Sequence, residues 1–257
     1  MQDIFHIQTF CSALAEQLQV PLTTAHTKDY SHLASADLAL NIFIYYASAR
    51  KRQPNLTSRT IHIDEEDLRQ SPDKIRQRLA SLYHQGKTCY ARQTVVARID
   101  KRIALAFQAE HHLNAALPGK YRYGLFHQGE LVSVAIFSGG RHMREQAETY
   151  RSFELLRFCH KSGLRVVGGL SKLIKSFVRD FSPADIMTYV DNDWSQNSSL
   201  QTLGFIPGLQ TEAQTMLFKN GLKLETVKQD SEKIADYVES GGYAKNNSGS
   251  TKMLLIL

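Results

Sequence analysis

The spacing of apolar positions along this chain changes several times, and each change predicts an element. Leu170, Leu173, Ile174, Phe177 and Val178 fall at i, i+3, i+4, i+7 and i+8. That is one stripe of a helix over 168–179, which Ser182-Pro183 stops. Residues 101–113 carry Ile103, Ala106, Phe107 and Glu110 at helical spacing, and 5–18 bring Phe5, Thr9, Ala13 and Leu14 near one face. Ser71-Pro72 starts another helix that runs to about Tyr83, because Ser caps orphan amides and Pro tolerates the first turn.

Between these lie the strands. Residues 38–46 are a continuous apolar stretch broken only by Asn41, suited to a buried strand or a short helix. Ile61-His62-Ile63 is a brief strand, and 94–99, 153–160 and 185–190 are longer ones. Residues 121–126 and 131–138 flank His127-Gln128-Gly129-Glu130, and 215–219 and 222–227 flank Asn220-Gly221, so each pair predicts a hairpin. Residues 50–59 and 139–150 read as loops, and 196–203 as a short helix closed by Gly204. A tail over 229–257 ends in a strand over 253–257. A strand–helix–strand unit inside a partly antiparallel sheet predicts an α/β fold with a mixed sheet, its ligands near the carboxyl ends of the parallel strands.

Composition narrows this only a little. The 257 residues, 42% hydrophobic and 22% charged, allow one large core or two small ones. No apolar run reaches the roughly 18 residues of a membrane span, so the expectation is a cytoplasmic protein with no membrane partner. Cys11, Cys89 and Cys159 are scattered and offer neither a disulfide framework nor a Cys-based zinc site. The net charge of +6 suits nucleic acid, anionic lipid or a polyphosphate ligand alike. Basic residues gather at 50–52, 98–102 and 161–179.

The order of elements resembles the GNAT superfamily of N-acyltransferases. In that family a helix follows a short Gly-rich loop headed by Arg or Gln, and Arg165-Val166-Val167-Gly168-Gly169-Leu170-Ser171-Lys172 takes that place here. Glycines let backbone amides approach a pyrophosphate, and a helix N-terminus favours its charge. The resemblance implies a mixed-sheet GNAT-like fold that binds acetyl-CoA or another acyl-CoA through Arg165, Gly168, Gly169, Ser171 and Lys172. Leu170 stands where the family has Gly or Ala. A plain strand-to-helix turn would explain the Gly-Gly pair equally well.

A second resemblance spans roughly 57–257. Phe153-Glu154-Leu155-Leu156-Arg157-Phe158, Thr188-Tyr189-Val190-Asp191-Asn192-Asp193-Trp194-Ser195 and Leu203-Gly204-Phe205 look like the GNAT-like domain attached to phage homing endonucleases. They are also similar to phage Mom-type DNA-modification proteins. Further upstream, Asp37-Leu38-Ala39-Leu40-Asn41, with Ile61-His62-Ile63-Asp64-Glu65-Glu66-Asp67 and Lys74-Ile75-Arg76-Gln77-Arg78-Leu79, resembles the tail of a Vsr-like nuclease. Asn41 stands where such a nuclease has a metal-holding Glu. The implied organisation is a degenerate nuclease remnant over 1–92, a GNAT-like domain over 93–228 and the tail over 229–257.

A GNAT-type reaction needs a neutral amine, a base to take its proton and an acid for the leaving thiolate. The resemblance places Asp191 and Glu154 as catalytic carboxylates at the strand ends. A structural pairing of Glu154 with Arg157 or Arg151 is the alternative. The family's acid is a Tyr on the helix before Gly-Phe; here that position is Leu200, which leaves Tyr189 or solvent. His112, Arg157 and Trp194 are the substrate-binding candidates, with Trp194 either stacked on a base or pinning its helix. Adjacent His111 and His112 cannot both face one site, so no metal is expected. The function implied is a transferase moving an acyl group to an amine, with nucleic acid (DNA or RNA) as a candidate acceptor and partner. The alternative is a non-catalytic nucleic-acid-binding module derived from a mobile-element endonuclease.

Overall fold

A computed structural model describes residues 4–49, 51–143, 145–194, 199–227 and 231–257. Along the chain run α1 (Phe5–Leu18), β1 (Thr23–His26), β2 (Tyr30–Ser35), β3 (Leu40–Tyr45), β4 (Arg59–Asp64), α2 (Glu65–Gln70) and α3 (Pro72–Leu82). There follow β5 (Lys87–Tyr90), a 3-10 turn Ala91–Gln93, β6 (Val95–Arg98), α4 (Lys101–His111), β7 (Tyr121–His127), β8 (Glu130–Phe137), β9 (Arg141–His142) and β10 (Arg151–His160). Next come β11 (Leu164–Val167), α5 (Gly169–Phe181), β12 (Asp185–Asp191), a 3-10 turn Gln201–Leu203 and β13 (Ile206–Gln210). The chain ends with β14 (Thr215–Lys219), β15 (Leu222–Val227), α6 (Ser231–Glu239), β16 (Tyr243–Asn246) and β17 (Ser250–Ile256). Among the described residues no helix is long and apolar enough to cross a membrane.

The described residues form two compact units. One takes them from 1–76, 190–198 and 209–251, the other from 77–189, 199–208 and 252–257.

In the first unit β1, β2 and β3 form an antiparallel meander, and β4 lies parallel to β3. Strand β3 is buried on both faces, which is why its sequence reads as an unbroken apolar run rather than an alternation. Leu40, Ile42 and Ile44 take one face and Asn41, Phe43 and Tyr45 the other. On that second face His32, Phe43 and His62 stack in succession, with centroids 4.5 and 5.8 Å apart. The Asn41 amide is held between His32 Nε2 at 2.8 Å and Ser58 Oγ at 2.5 Å. The Asn220-Gly221 turn forms its hairpin through two left-handed residues, φ 53° and 73°. Its place in the predicted order puts that hairpin in the mixed sheet, but it does not join it. Strand β14 sits between β15 and β16 in a separate three-stranded sheet.

The mixed α/β fold expected from the sequence is present. Its sheet runs in the order β13-β17-β12-β10-β8-β7-β6, with β9 paired to β10. Strands β6, β7, β8 and β10 are antiparallel neighbours, and β12 runs parallel to β10. Alternation along β8 assigns the helices to opposite faces. Val134 and Ile136 pack with Ala104 and Phe107 of α4. Phe137 stacks on Phe177 of α5 at 3.9 Å, and Phe153 of β10 meets the same ring edge-on at 5.1 Å. Helix α5 therefore covers one face of the sheet and α4 the other.

Of the short helix expected over 196–203, residues 196–198 lie outside the described residues, and the remainder is the 3-10 turn. The parallel ribbon of β5 and β11 has no counterpart in the predicted elements.

Candidate functional site

The residues singled out in the sequence divide between the units. Glu154, Tyr189, Arg165, Gly168, Gly169, Ser171, Lys172, His112 and Arg157 belong to the unit built on 77–189, whereas Asp191 and Trp194 belong to the other.

Strand β10 organises the first group. It pairs with β12 over three residues only: Ser152 with Asp185, Phe153 with Ile186 and Glu154 with Met187. Past Glu154 no further pair exists among the described residues, although β10 continues to His160. Thr188 Oγ1 donates to Leu155 O at 2.8 Å where the ladder ends. On its other edge β10 stays bonded to β8, with a bulge between Leu155 and Arg157. In such a strand alternate backbone N–H groups point to the edge that has lost its neighbour.

Helix α5 starts beside the end of β10. A Cβ on Gly169 would lie 3.2 Å from His160 Cε1, Leu125 Cδ1 and Val166 Cβ, so the helix approaches this closely only because residue 169 has no side chain. Gly168 is the N-cap in the left-handed region, φ 76°, with no side-chain cap. The first intrahelical bond runs from Lys172 N to Gly168 O at 3.0 Å. The amides of Gly169, Leu170 and Ser171 therefore have no intrahelical acceptor and face out of the helix start. No acidic residue occupies the first turn. A cleft of about 460 Å³ runs along the outer side of α5, lined by Gly168, Ser171, Lys172, Lys175, Ser176 and Arg179.

The cations here are partly engaged. Lys172 Nζ donates to Ala91 O at 2.7 Å and also to Thr94 O, which ties the helix start to the Ala91–Gln93 turn. Arg165 Nη1 donates to His84 Nδ1 at 2.6 Å. Lys175 and Arg179 are exposed.

Sequence reasoning missed His160. Its Nδ1 lies 2.6 Å from Ser133 Oγ. Burial, then the nearby Arg165 charge, pushes its pKa down to about 4, so the ring is neutral at the helix start. The only signal was a lone His at the end of an apolar strand.

Glu154 and Arg157 lie on the α4 face of the sheet. Phe153 faces α5, so its neighbour Glu154 faces α4. Arg157 pairs with Ile136 and its Nε donates to Ala115 O at 3.2 Å, in the segment that follows α4. The bulge brings these residues, three apart, to one face. Arg157 Nη1 donates to Leu156 O at 2.7 Å. Tyr189 is 46% exposed. His112 caps α4, and its Nδ1 accepts from Asn114 N at 3.0 Å.

In the other unit, Asp191 Oδ1 accepts the Asp193 amide at 2.9 Å, and Asp191 O accepts that of Trp194 at 3.1 Å. Asp191 thus shapes a tight turn, and Trp194 is half-buried.

No family model matches the sequence, and no curated protein matches it significantly. Solved structures resemble part of the chain. Ard1 from Thermoplasma volcanium is 11% identical, with TM-score 0.39, over 64% of this chain and 98% of that one. The ribosomal-protein-S18-alanine N-acetyltransferase from Escherichia coli is 10% identical, with TM-score 0.40, over 63% and 93%. A GNAT family acetyltransferase from Elizabethkingia anophelis, solved with acetyl-CoA bound, is 8% identical, with TM-score 0.34, over 64% and 99%. Likeness at this level carries no activity across to this chain.

Proposed function

We propose that the unit built on 77–189 is a GNAT-like N-acyltransferase that uses acetyl-CoA or another acyl-CoA. The observation that carries this reading is the parting of β10 and β12 after Glu154 and Met187, beside the free amides that open α5. Two parallel strands that separate leave backbone donors along a slot. The helix start supplies an anion site at one end of it.

The residues fit a polyphosphate thioester. The amides of Gly169, Leu170 and Ser171, with Lys175 and Arg179 along the adjoining cleft, would hold phosphates. Bound acyl-CoA supplies the thioester carbonyl that the amine attacks, giving an amide and a free thiol. Glu154, where the strands part, takes the proton the amine loses. Tyr189 or water returns a proton to the thiolate, since Leu200 has none to give. Arg157 and His112 lie on the acceptor side of the sheet. Asp191 is committed to its own turn and serves the shape of the strand end rather than proton transfer.

Calorimetry with acetyl-CoA tests this, using wild type beside Ser171→Asp, which puts a carboxylate at the half-buried head of the cleft. Micromolar binding that the variant loses is the expected result. A wild type that binds no acetyl-CoA overturns the reading.

The cationic cleft beside α5 favours one alternative, a non-catalytic module derived from a mobile-element endonuclease that holds DNA or RNA by its phosphates. That module would bind oligonucleotide with steep salt dependence and ignore acetyl-CoA. A transferase of the phage DNA-modification type would bind both, with the acceptor amine lying in the nucleic acid.

A further inference from the structure

We infer that Arg157 selects the acceptor: the amine acylated here carries an anionic group, a carboxylate or a phosphate, that the Arg157 guanidinium binds. The inference rests on the transferase reading and adds the substrate class.

Arg157 lies on the face of the sheet opposite α5. Its strand partner Ile136 and its near neighbour Cys159 both pack in the α4 cluster. The phosphate cradle at Gly168–Ser171 opens from α5, on the other face. A second reactant therefore meets the gap from the α4 side, where Arg157 sits at the bulge three residues past Glu154. The ladder to β12 has already ended at Glu154, so Arg157 lies on the stretch of β10 that keeps β8 on one edge and has no described strand partner on the other.

Its own contacts leave its charge unanswered. The Arg157 guanidinium donates to neutral carbonyl oxygens, Ala115 O and Leu156 O. Among the described residues no carboxylate comes within ion-pairing distance of it, whereas Arg52, Arg69, Arg76, Arg98 and Arg179 each have one. Arg157 is also half-buried. Burial works to lower its pKa, and only the charge of Glu154 opposes that. A half-buried cation fixed by two carbonyls, with donors to spare, is the arrangement that binds an oxyanion in two-pronged fashion. Glu154 on the same face attracts the amine. Acceptors with both groups, such as amino acids or aminoalkyl phosphates, match this pair of charges.

The experiment uses matched amines: glycine against glycinamide, and 2-aminoethyl phosphate against 2-aminoethanol. Binding is followed by ligand-observed NMR on the full chain, and thiol release from acetyl-CoA is followed in parallel. Wild type should prefer the anionic member of at least one pair by tenfold or more. A preference in the glycine pair names a carboxylate, and one in the phosphate pair names a phosphate. Arg157→Gln should erase the preference, and Arg157→Lys should keep part of it. Equal use of neutral and anionic partners by wild type overturns the inference. So does an Arg157→Gln protein that melts like wild type and keeps the preference. The binding arm separates the two proposals. An anionic preference that depends on Arg157 without any thiol release upholds the anion site and sinks the transferase reading.

Discussion

Arg52 and Asp64 form a two-pronged ion pair, Nη1 to Oδ1 and Nη2 to Oδ2, both at 2.9 Å, with each side chain almost wholly removed from water. Arg52 Nη2 also reaches Asp193 Oδ2 at 3.1 Å. Lys245 joins from β16, 2.6 Å from Glu66 and 3.4 Å from Asp64. The pair thus pins three separate stretches of sequence into one unit. Burial alone would raise the Asp64 carboxyl, but the charge and hydrogen bonds of Arg52, helped by Lys245, hold it below the usual carboxylate range.

Arg52→Leu should therefore be strongly destabilising, because it removes the cation bonded to the buried Asp193 and leaves the buried Asp64 with Lys245 alone. The expected loss is about 3–5 kcal/mol, read as a large fall in midpoint in urea melts. Asp64 has a depressed folded pKa, so its contribution is full above the ordinary carboxylate range. It is lost as acid protonates the folded state. The gap between wild type and Arg52→Leu should narrow at the acid end.

His160 gives a second pH effect, in the same direction but at higher pH. Its folded pKa is about 4 against an ordinary 6.5. Between those values the unfolded chain binds the proton and the folded one does not, so stability falls as pH drops from 6.5 towards 4. Below about 4 this group takes nothing further. The whole effect is about 3 kcal/mol at most. His62, brought down to about 4 chiefly by burial, adds in the same direction. His160→Gln should flatten part of the slope in urea melts between pH 4.5 and 7. An unchanged slope would mean that the ring titrates normally.

Gly168 and Gly169 are adjacent, yet they should respond differently to alanine. At Gly168 a Cβ meets only Ala91 Cβ, at an ordinary 3.5 Å, so Gly168→Ala pays only for its left-handed backbone, about 1 kcal/mol. At Gly169 three neighbours must each give way from 3.2 Å, one of them the His160 ring. Overpacking of that kind costs about 1–3 kcal/mol. It should also weaken acetyl-CoA binding by shifting the helix start. Paired melts and calorimetry on the two variants test whether close approach or left-handed geometry matters more for the cradle.

Much of the frame was legible because its signals are local. The stripe from Leu170 to Val178 gives α5, and the Gln128-Gly129 and Asn220-Gly221 turns fix both hairpins. Strands β5 and β11 are four residues each, and Lys87–Tyr90 is polar, so neither shows a period. Helix α2 begins directly at the end of β4 in a short acidic run with a single apolar residue, Leu68, so no period marks it. The partners of Arg52 lie 12 and 141 positions away, and no spacing rule links them. The candidate site was half legible. The glycine pair and Glu154 could be found locally, but the shared face of Glu154 and Arg157 depends on a bulge, which strand alternation alone would have denied. Asp191 illustrates the reverse: a carboxylate at a strand end looks reactive in sequence, and its bond to the Asp193 amide appears only in three dimensions.

That contrast gives the sharpest prediction about chemistry. If Glu154 takes the proton from the amine, Glu154→Gln keeps the shape of the strand but removes the base. The rate constant for acyl transfer should then fall by about 10²- to 10⁴-fold, with acetyl-CoA affinity nearly unchanged, because the cradle lies on the other face of the sheet. Asp191→Asn should cost far less in rate, since an amide oxygen can still accept the Asp193 N–H that Asp191 Oδ1 now holds at 2.9 Å. Steady-state thiol release with a saturating amine, at several pH values, separates the cases. A base effect appears in kcat and weakens as pH rises and hydroxide takes the proton in place of Glu154, whereas a positioning effect is flat with pH. If Asp191→Asn proves the more damaging and Glu154→Gln is mild, the proton passes through the turn at the end of β12, and Glu154 is not the base.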